Sequence, residues 1–345
     1  MLDDLKMIHE RDAQDALGIA EKEWQQLMHD FSFTPAVSVD HIQTVVYSGM
    51  GGSALAALLV PTWPTLTLPF EIVRNYDIPA YVGSNSLFIA ASYSGNTEET
   101  LSAIAQAAEH QAQIVVITSG GKLAEIAKEK GYPLALLPAG LQPRHAVFYN
   151  FKALLVALQQ AGLLPVQGAE AELGHAAELL KEKVQAWLPT VPAKDNLAKQ
   201  IALECIGKSA VIYGGPKLYP AAYKWKISFN ENAKQIAWVN QFPEFNHNEF
   251  LGWTKQPVSK PYTVIDLRSN LEHPRVQKRF EVSERLLSGL RPAPIVVQAE
   301  GTTILEQLLW TVALGDFVTI YTALLNGINP TPVDLIEKFK QVMAE

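Results

Sequence analysis

The chain has 345 residues, 48% of them hydrophobic and 18% charged, a composition that suits a folded globular protein of two ordinary domains. Its formal net charge of −7 argues against a nucleic-acid partner, for which a basic face is expected. A single cysteine, Cys205, excludes an internal disulfide and a zinc site built from cysteines, and it fits a reducing compartment such as the cytoplasm.

Two stretches bear on secretion and membranes. Residues 1–24 are acidic and amphipathic, without the apolar segment behind a basic start that marks a signal peptide. The most membrane-like stretch is 308–325, but Asp316 lies at its centre. A charge at the middle of a bilayer costs about 2.5–3.5 kcal/mol on insertion scales. We therefore predict that 308–325 is a helix buried between domains or subunits, and we expect no membrane partner.

From residue 42 onward, short apolar runs alternate with helical patterns, as in a parallel α/β sheet. Strands are predicted at 42–48, 70–76, 86–92 and 113–119, and helices at 53–60, 97–110 and 146–162. The more polar stretch 163–196 has prolines near both ends and predicts a linker that contains a helix. Further strands are predicted at 209–215, 262–268 and 293–301.

The two halves of this pattern resemble one another. The segment VVYSGMGGS in the first half matches AVIYGGPKL in the second half in outline, which indicates duplication of one fold. We predict two doubly wound parallel α/β domains, with ligands bound at the carboxyl ends of the strands. The predicted division is a helical extension at 1–38, a first domain at 39–162, the linker at 163–196 and a second domain at 197–345.

A glycine-rich stretch, 49–54, follows the first predicted strand and precedes a helix. Glycines there let the backbone approach a ligand, and a helix N-terminus favours an anion. The order Gly-Met-Gly-Gly-Ser-Ala also fits the G-x-G-x-x-A fingerprint of dinucleotide binding, which requires an acidic residue at the end of the next strand. Glu71 has the right spacing but stands at the start of its strand, which argues against a nucleotide-dependent dehydrogenase.

Three hydroxyl groups follow the strand at 86–92. Ser92, Ser94 and Thr97 surround Gly95 at a strand-to-helix turn, where free backbone N–H groups are also expected. Hydroxyls and amides at a helix start can hold a phosphate without a metal. The alternative is that Thr97 only caps the helix, which accounts for one hydroxyl of the three. The predicted phosphate-binding set is Gly51, Gly52, Ser53, Ser92, Ser94 and Thr97.

The motifs GMGGSA, SYSGNTEET and ITSGGKLAEIA resemble the sugar isomerase (SIS) domain. The later segments QPRHA at 142–146, FNENAK at 229–234 and PEFNHNEFLGW at 243–253 are similar to the bifunctional phosphoglucose/phosphomannose isomerases of archaea and some bacteria. The resemblance runs from about residue 40 to the end of the chain. It implies two SIS domains, a homodimer, and aldose–ketose isomerisation of hexose 6-phosphates with no metal or other cofactor.

Isomerisation of glucose 6-phosphate moves a proton between C2 and C1 through a cis-enediol(ate), so a general base is required. The motif NENAK places Glu231 between two asparagines beside an apolar run, where its pKa can be tuned. The resemblance implies that Glu231 is the catalytic base. The alternative is a surface glutamate paired with Lys234 or Lys226; Glu204 and Glu244 are the other carboxylates to consider.

Ring opening needs a group that exchanges a proton near neutral pH, which histidine does. The resemblance implies that His247 has this role and reaches the site across the dimer interface, and that a C-terminal lysine assists at the ring oxygen. Lys340 matches that lysine best, and Lys338 lies two residues away. Arg144 precedes the helix at 146–162, where a guanidinium can stabilise the enediolate oxygen.

Two other functions fit parts of this pattern. A non-catalytic SIS module that senses a sugar phosphate needs the hydroxyl-rich turn but not Glu231 and His247 together. An isomerase of another sugar phosphate, such as an amino-sugar phosphate, differs only in contacts near C1–C3. Activity on mannose 6-phosphate depends on residues that shape the space around the C2 epimer, and these do not align from the motifs alone.

Overall fold

The computed structural model of the chain describes residues 1–64, 66–164, 166–255 and 261–343. By contacts the chain divides into two compact units, which we call the first unit (Lys22–Leu179) and the second unit (Leu180–Glu345 together with Met1–Glu21). The division predicted at residues 38, 162 and 196 stays a prediction. Residues 344 and 345, at the end of the predicted second domain, and 256–260 within it lie outside the described residues.

Strands and helices alternate through most of the chain. The strands are β1 Thr44–Ser48, β2 Phe70–Val73, β3 Ser86–Ser92, β4 Gln113–Thr118, β5 Leu134–Leu136, β6 Ser209–Gly214, β7 Ala237–Gln241, β8 Tyr262–Arg268 and β9 Ile295–Gln298. The helices are α1 Leu5–Arg11, α2 Ala16–Glu21, α3 Trp24–Leu27, α4 Gly51–Leu59, α5 Glu98–Glu109, α6 Gly121–Lys130, α7 Val147–Gln160, α8 Val166–Lys183, α9 Leu197–Cys205, α10 Tyr219–Glu231, α11 Glu249–Gly252, α12 Pro274–Leu286, α13 Ile304–Leu325 and α14 Asp334–Met343.

In the described part of each unit there is one parallel sheet. The first has the order β2-β1-β3-β4-β5, and the second has the order β7-β6-β8-β9. The central strand β3 is buried along its whole length, as expected for a parallel sheet that is covered on both faces. The predicted fold of two doubly wound parallel sheets is confirmed. The second sheet repeats the order of the first four strands of the first sheet, which agrees with the duplication indicated by the sequence.

The strand order creates a switch point in each sheet. Strand β1 lies between β2 and β3, so the chain leaves β1 toward one side and later crosses to the other. In open α/β sheets, ligands bind in the crevice outside the carboxyl ends of the strands at such a point. In the first unit, this position lies between Ser48 and Ser92, which end β1 and β3. In the second unit, it lies between the ends of β6 and β8.

Two strands were not predicted. Strand β5 has three residues, which is too short to show a periodic pattern. Strand β7 is an edge strand whose sequence, AWVNQ, is mostly half-buried or exposed rather than apolar throughout. Strand β2 ends at Val73 instead of residue 76, because the next residues are exposed polar side chains.

The apolar helix α13 is long and hydrophobic enough to cross a membrane by length and composition, with a mean hydropathy of 1.7, yet that stretch is completely buried within the protein. The burial is confirmed, with α13 packed on α2, α9 and α10 of its own unit; burial between domains or subunits stays a prediction. Near the middle of α13, Asp316 forms an ion pair with Lys224 of α10, and the two side chains are 1% and 2% exposed. The hydroxyl of Ser228 donates to the same oxygen of Asp316 at 3.0 Å. The charge within α13 is therefore compensated by α10.

Replacing Asp316 with alanine leaves the Lys224 ammonium buried without its counter-charge. We expect the free energy of unfolding to fall by about 3–5 kcal/mol, because an unpaired buried charge is costly. Urea unfolding of the purified protein measures this loss. The matched control, Glu204→Ala, breaks the exposed Lys208–Glu204 pair at 3.4 Å and should cost less than about 1 kcal/mol. Equal stability of the two variants would contradict the prediction.

Candidate active site

Three hydroxyl groups lie together in the turn between β3 and α5. The hydroxyl oxygen of Ser92 is 2.8 Å from that of Thr97 and 3.5 Å from that of Ser94. The backbone N–H of Gly95 donates to the Ser92 oxygen at 3.1 Å. Ser92 is buried, whereas Ser94 is exposed and Thr97 is half-buried. The hydroxyl set therefore opens to solvent on one side.

Thr97 stands at the N-cap position of α5, but capping does not explain its hydroxyl. Its side chain accepts no bond from the described N–H groups of the helix's first turn, and it contacts Ser92 instead. The first-turn N–H groups of α5 thus lack a side-chain cap among the described residues. Hydroxyls beside uncapped N–H groups are the arrangement that binds a phosphate.

Ser53 connects this turn to the glycine-rich stretch. Helix α4 begins at Gly51, two residues earlier than predicted, so Ser53 lies in the first turn of the helix rather than in a loop. Its hydroxyl oxygen accepts a hydrogen bond from the backbone N–H of Tyr93 at 3.0 Å. The hydroxyl proton of Ser53 is still available to a ligand. The turns after β1 and β3, which the sequence places 40 residues apart, are therefore joined.

Gly52 allows the backbone at Arg144 to approach the start of α4. A Cβ atom on Gly52 would lie 2.5 Å from the carbonyl carbon of Pro143 and 2.7 Å from the backbone nitrogen of Arg144. The 3₁₀ turn Pro143–His145 therefore packs directly on the start of α4, and only a glycine permits this approach. The residue Arg144 is 1% exposed. Arg144 is thus buried beside the start of α4, and its predicted role at the enediolate oxygen stays a prediction.

A buried pair supports this turn and was not predicted. The Nδ1 atom of His145 lies 3.5 Å from a carboxylate oxygen of Glu23, and both side chains are buried. Gln26 of α3 donates to the backbone carbonyl of His145 at 2.7 Å. The motif QPRHA contains His145, but nothing in the sequence connects it with a glutamate more than 100 residues away.

Glu231 is the last residue of α10 and is half-buried. The Lys234 ammonium donates to the backbone carbonyl of Glu231 at 2.8 Å and to that of Pro330 at 2.9 Å. The side-chain amide of Asn232 donates to the hydroxyl of Thr319 on α13 at 3.0 Å. The motif NENAK thus holds the end of α10 against both α13 and the segment that precedes α14.

The two other carboxylates considered from the sequence lie elsewhere in ordinary surface contacts. Glu204 is exposed and forms the 3.4 Å pair with Lys208. Glu244 is exposed and accepts a hydrogen bond from the side-chain amide of Asn248 at 2.6 Å. Both side chains are exposed, whereas Glu231 is half-buried.

His247 ends the 3₁₀ turn Glu244–His247 and is exposed. Phe245 in the same turn is fully buried, and its ring centroid lies 4.6 Å from that of Tyr213 and 4.9 Å from that of Phe242. The side chain of Asn246 donates to Ser283 at 2.8 Å. The turn is therefore fixed to the core through Phe245, and it presents the imidazole of His247 outward.

Lys340 lies on α14, where its ammonium pairs with Glu337 at 2.8 Å and is mostly exposed. Lys338 is exposed on the same helix. This ion pair gives Lys340 the ordinary contact of a surface lysine, and the choice between Lys340 and Lys338 stays a prediction.

The predicted residues divide between the two units. The first unit brings together Gly51, Gly52, Ser53, Ser92, Ser94, Thr97 and Arg144. The second unit holds Glu231, His247 and Lys340.

Comparison with family models defines the class of protein. Residues 41–163 match the SIS domain, and residues 194–343 match the bacterial phospho-glucose isomerase C-terminal SIS domain. A solved structure described as a glucose-6-phosphate isomerase like protein from Thermus thermophilus has the same fold, with a TM-score of 0.67, 18% identity, and 99% of both chains covered. The chain is therefore a protein of two SIS domains.

Two similar proteins identify the family within this class. A bifunctional phosphoglucose/phosphomannose isomerase of Caldicellulosiruptor bescii is 35% identical, and the match covers 90% of this chain and 92% of that protein. A D-glucosamine-6-phosphate 4-epimerase of Sulfolobus acidocaldarius is 32% identical over 70% of this chain and 76% of its own. The chain belongs to the bifunctional phosphoglucose/phosphomannose isomerase family.

Substitution of Gly52 by alanine tests the packing of the Arg144 turn. The added methyl group would overlap the backbone of Pro143 and Arg144, and overpacking of this kind costs about 1–3 kcal/mol of unfolding free energy. Gly174→Ala is the matched control, since no described atom lies within 4 Å of its Cβ position in α8 and alanine there should add up to about 1 kcal/mol. Urea unfolding compares the two, and a Gly52→Ala protein as stable as the control would contradict the packing.

Proposed function

We propose that this protein interconverts glucose 6-phosphate and mannose 6-phosphate with fructose 6-phosphate. The observation that carries the proposal is the hydroxyl set of Ser92, Ser94 and Thr97, joined through Ser53 to the start of α4, in a chain of this family. Two helix starts and several hydroxyls at one switch point suit a single compact phosphate better than an extended dinucleotide.

In this proposal the hydroxyl set at the start of α5, together with the start of α4, binds the 6-phosphate. The C1–C2 end of the open-chain sugar is left to Glu231. The carboxylate takes the proton from C2, the C–H electrons form the C1–C2 double bond, and the carbonyl oxygen at C1 becomes the enediolate oxygen. Transfer of the C2 hydroxyl proton to O1 and return of the carbon-bound proton from Glu231 to C1 then restore a carbonyl, now at C2. Arg144 stabilises the negative oxygen in this scheme. The half-buried position of Glu231 at a helix end, fixed through Asn232 and Lys234, supports a positioned base.

Ring opening precedes proton transfer. His247 protonates the ring oxygen and accepts the proton of the C1 hydroxyl as the C1–O5 bond breaks, and Lys340 assists at the ring oxygen in this scheme. No metal or other cofactor takes part in the proposed reaction.

We further propose that the enzyme is a cytoplasmic homodimer in which His247 acts in the site of the partner subunit. His247 is exposed, although its turn is firmly anchored. Large apolar side chains are exposed in the neighbouring elements, namely Ile236, Trp238 and Leu251, which are 62%, 59% and 71% exposed. Exposed apolar groups near a functional side chain are typical of a surface that another chain covers.

A coupled assay that detects fructose 6-phosphate tests the function. We expect turnover of both glucose 6-phosphate and mannose 6-phosphate, unchanged by EDTA, because the proposed groups are all side chains. Glucosamine 6-phosphate, assayed for its own conversion, serves as the amino-sugar arm. Turnover of that sugar alone would favour an amino-sugar enzyme, and binding without turnover of any of the three would favour a sensor.

Substitution Glu231→Gln removes the base but keeps the shape of the side chain. We expect kcat to fall by about 10²–10⁴, the usual contribution of a positioned general base, while KM changes little. The assay uses saturating glucose 6-phosphate, with Glu204→Gln as the control for an exposed carboxylate. Unchanged turnover in the Glu231 variant would contradict the proposed role.

Mixing two inactive variants tests the position of His247. A hybrid dimer of Glu231→Gln and His247→Ala chains has one site with both side chains intact, provided that His247 comes from the partner. Random assembly makes half of the dimers hybrid, so about a quarter of the wild-type activity should return after subunit exchange. The same mixture before exchange is the control, and no recovery after exchange would place His247 in the site of its own chain.

A further inference from the structure

The second unit has its own switch point, between β6 and β8. In the first unit Ser48 pairs with Ala90, and the hydroxyl turn begins two residues later at Ser92. In the second unit Gly214 pairs with Leu267, and the corresponding turn begins at Ser269. The turn at 92–97 reads SYSGNT, without an acidic residue, whereas the turn at 269–274 reads SNLEHP and contains Glu272.

Glu272 directs its carboxylate into this switch point. The residue is 5% exposed, and its Oε1 atom accepts a hydrogen bond from the backbone N–H of Lys217 at 2.7 Å. Burial raises the pKa of Glu272, while the backbone N–H groups of Lys217, Leu218 and His273 oppose that rise. The carboxylate, which belongs to the turn after β8, therefore binds the backbone of the turn after β6.

The backbone around this carboxylate is shaped to admit it. A Cβ atom on Gly215, directly after β6, would lie 2.3 Å from the Oε1 atom of Glu272. Helix α10 starts after Leu218, whose apolar side chain offers no oxygen to the first-turn N–H groups. Glu272 instead binds the backbone N–H of Lys217, the residue directly before Leu218. A charged oxygen at a helix N-terminus is favoured by the local dipole, as a phosphate is.

We propose that the Glu272 carboxylate is a built-in anion that occupies the switch point of the second unit, so that each chain binds phosphate only in the first unit. The same contact fixes the start of α10, the helix that ends at Glu231. This inference rests on the proposed phosphate site of the first unit. The experiment is chosen so that failure of the inference and failure of that site give different results.

Calorimetric titration with inorganic phosphate tests this inference. We expect wild-type protein to bind one phosphate per chain and Glu272→Ala to bind two, because alanine uncovers the backbone N–H of Lys217 and leaves room beside Gly215. Glu272→Gln is the matched control: its amide fills the same space, so it should bind one. Equal stoichiometry in the Glu272→Ala and Glu272→Gln proteins would overturn the proposal.

The double variant Ser94→Ala/Thr97→Ala separates this proposal from the phosphate site of the first unit. It should bind no phosphate alone and one phosphate per chain when combined with Glu272→Ala. If the double variant alone still binds one, the first-unit site is wrong, while the difference between Glu272→Ala and Glu272→Gln still decides the inference.

Glu272→Ala could prevent folding, and a refolding comparison covers that case. The variant is then refolded in phosphate and in chloride at equal ionic strength. Recovery in phosphate alone supports the built-in anion, because the added ion replaces the lost carboxylate. Equal recovery in both salts, or in neither, overturns the inference.

Discussion

One buried hydrogen bond, from the backbone N–H of Tyr93 to the hydroxyl oxygen of Ser53, holds the candidate phosphate site together. Parallel sheets bring the ends of β1 and β3 to the same edge, but neighbouring strand ends do not by themselves align two turns. This bond aligns the two turns, and it uses one lone pair of the Ser53 hydroxyl oxygen. Gly52 then allows the Arg144 turn to pack against α4. The hydroxyl set, the helix start and the arginine turn thus depend on one local alignment.

Polar groups within the apolar core of the second unit have a related role. Helix α13 is buried from Gln307 to Leu325, and two of its polar side chains bond to side chains on α10 or directly after it. Asp316 pairs with Lys224 and Ser228, and Thr319 accepts from Asn232. All three of these partners lie on α10 or directly after it. These pairs join α13 at defined positions to the helix that carries Glu231.

Long apolar runs made much of the fold predictable. The ends of β3 and β8 agree with the sequence-based expectation to the residue, because both strands are buried along nearly their whole length. The short strand β5 and the edge strand β7 lack that signal. The hydroxyl cluster was predictable because its members are close in sequence. The Ser53–Tyr93 bond, the Glu23–His145 pair and the position of Glu272 depend on tertiary contacts between distant segments, which no local pattern encodes.

Lys234 links the end of α10 to the segment that precedes α14. Its ammonium holds the carbonyl of Glu231 and the carbonyl of Pro330 together, so the segment before α14 is tied to the end of α10. The backbone at Asn329 and Pro330 is therefore anchored to the end of α10. A tag, fusion or proteolytic cut placed just after Gly327 would act on the backbone at Glu231 itself. Protein engineers who need a harmless attachment point should leave this junction intact.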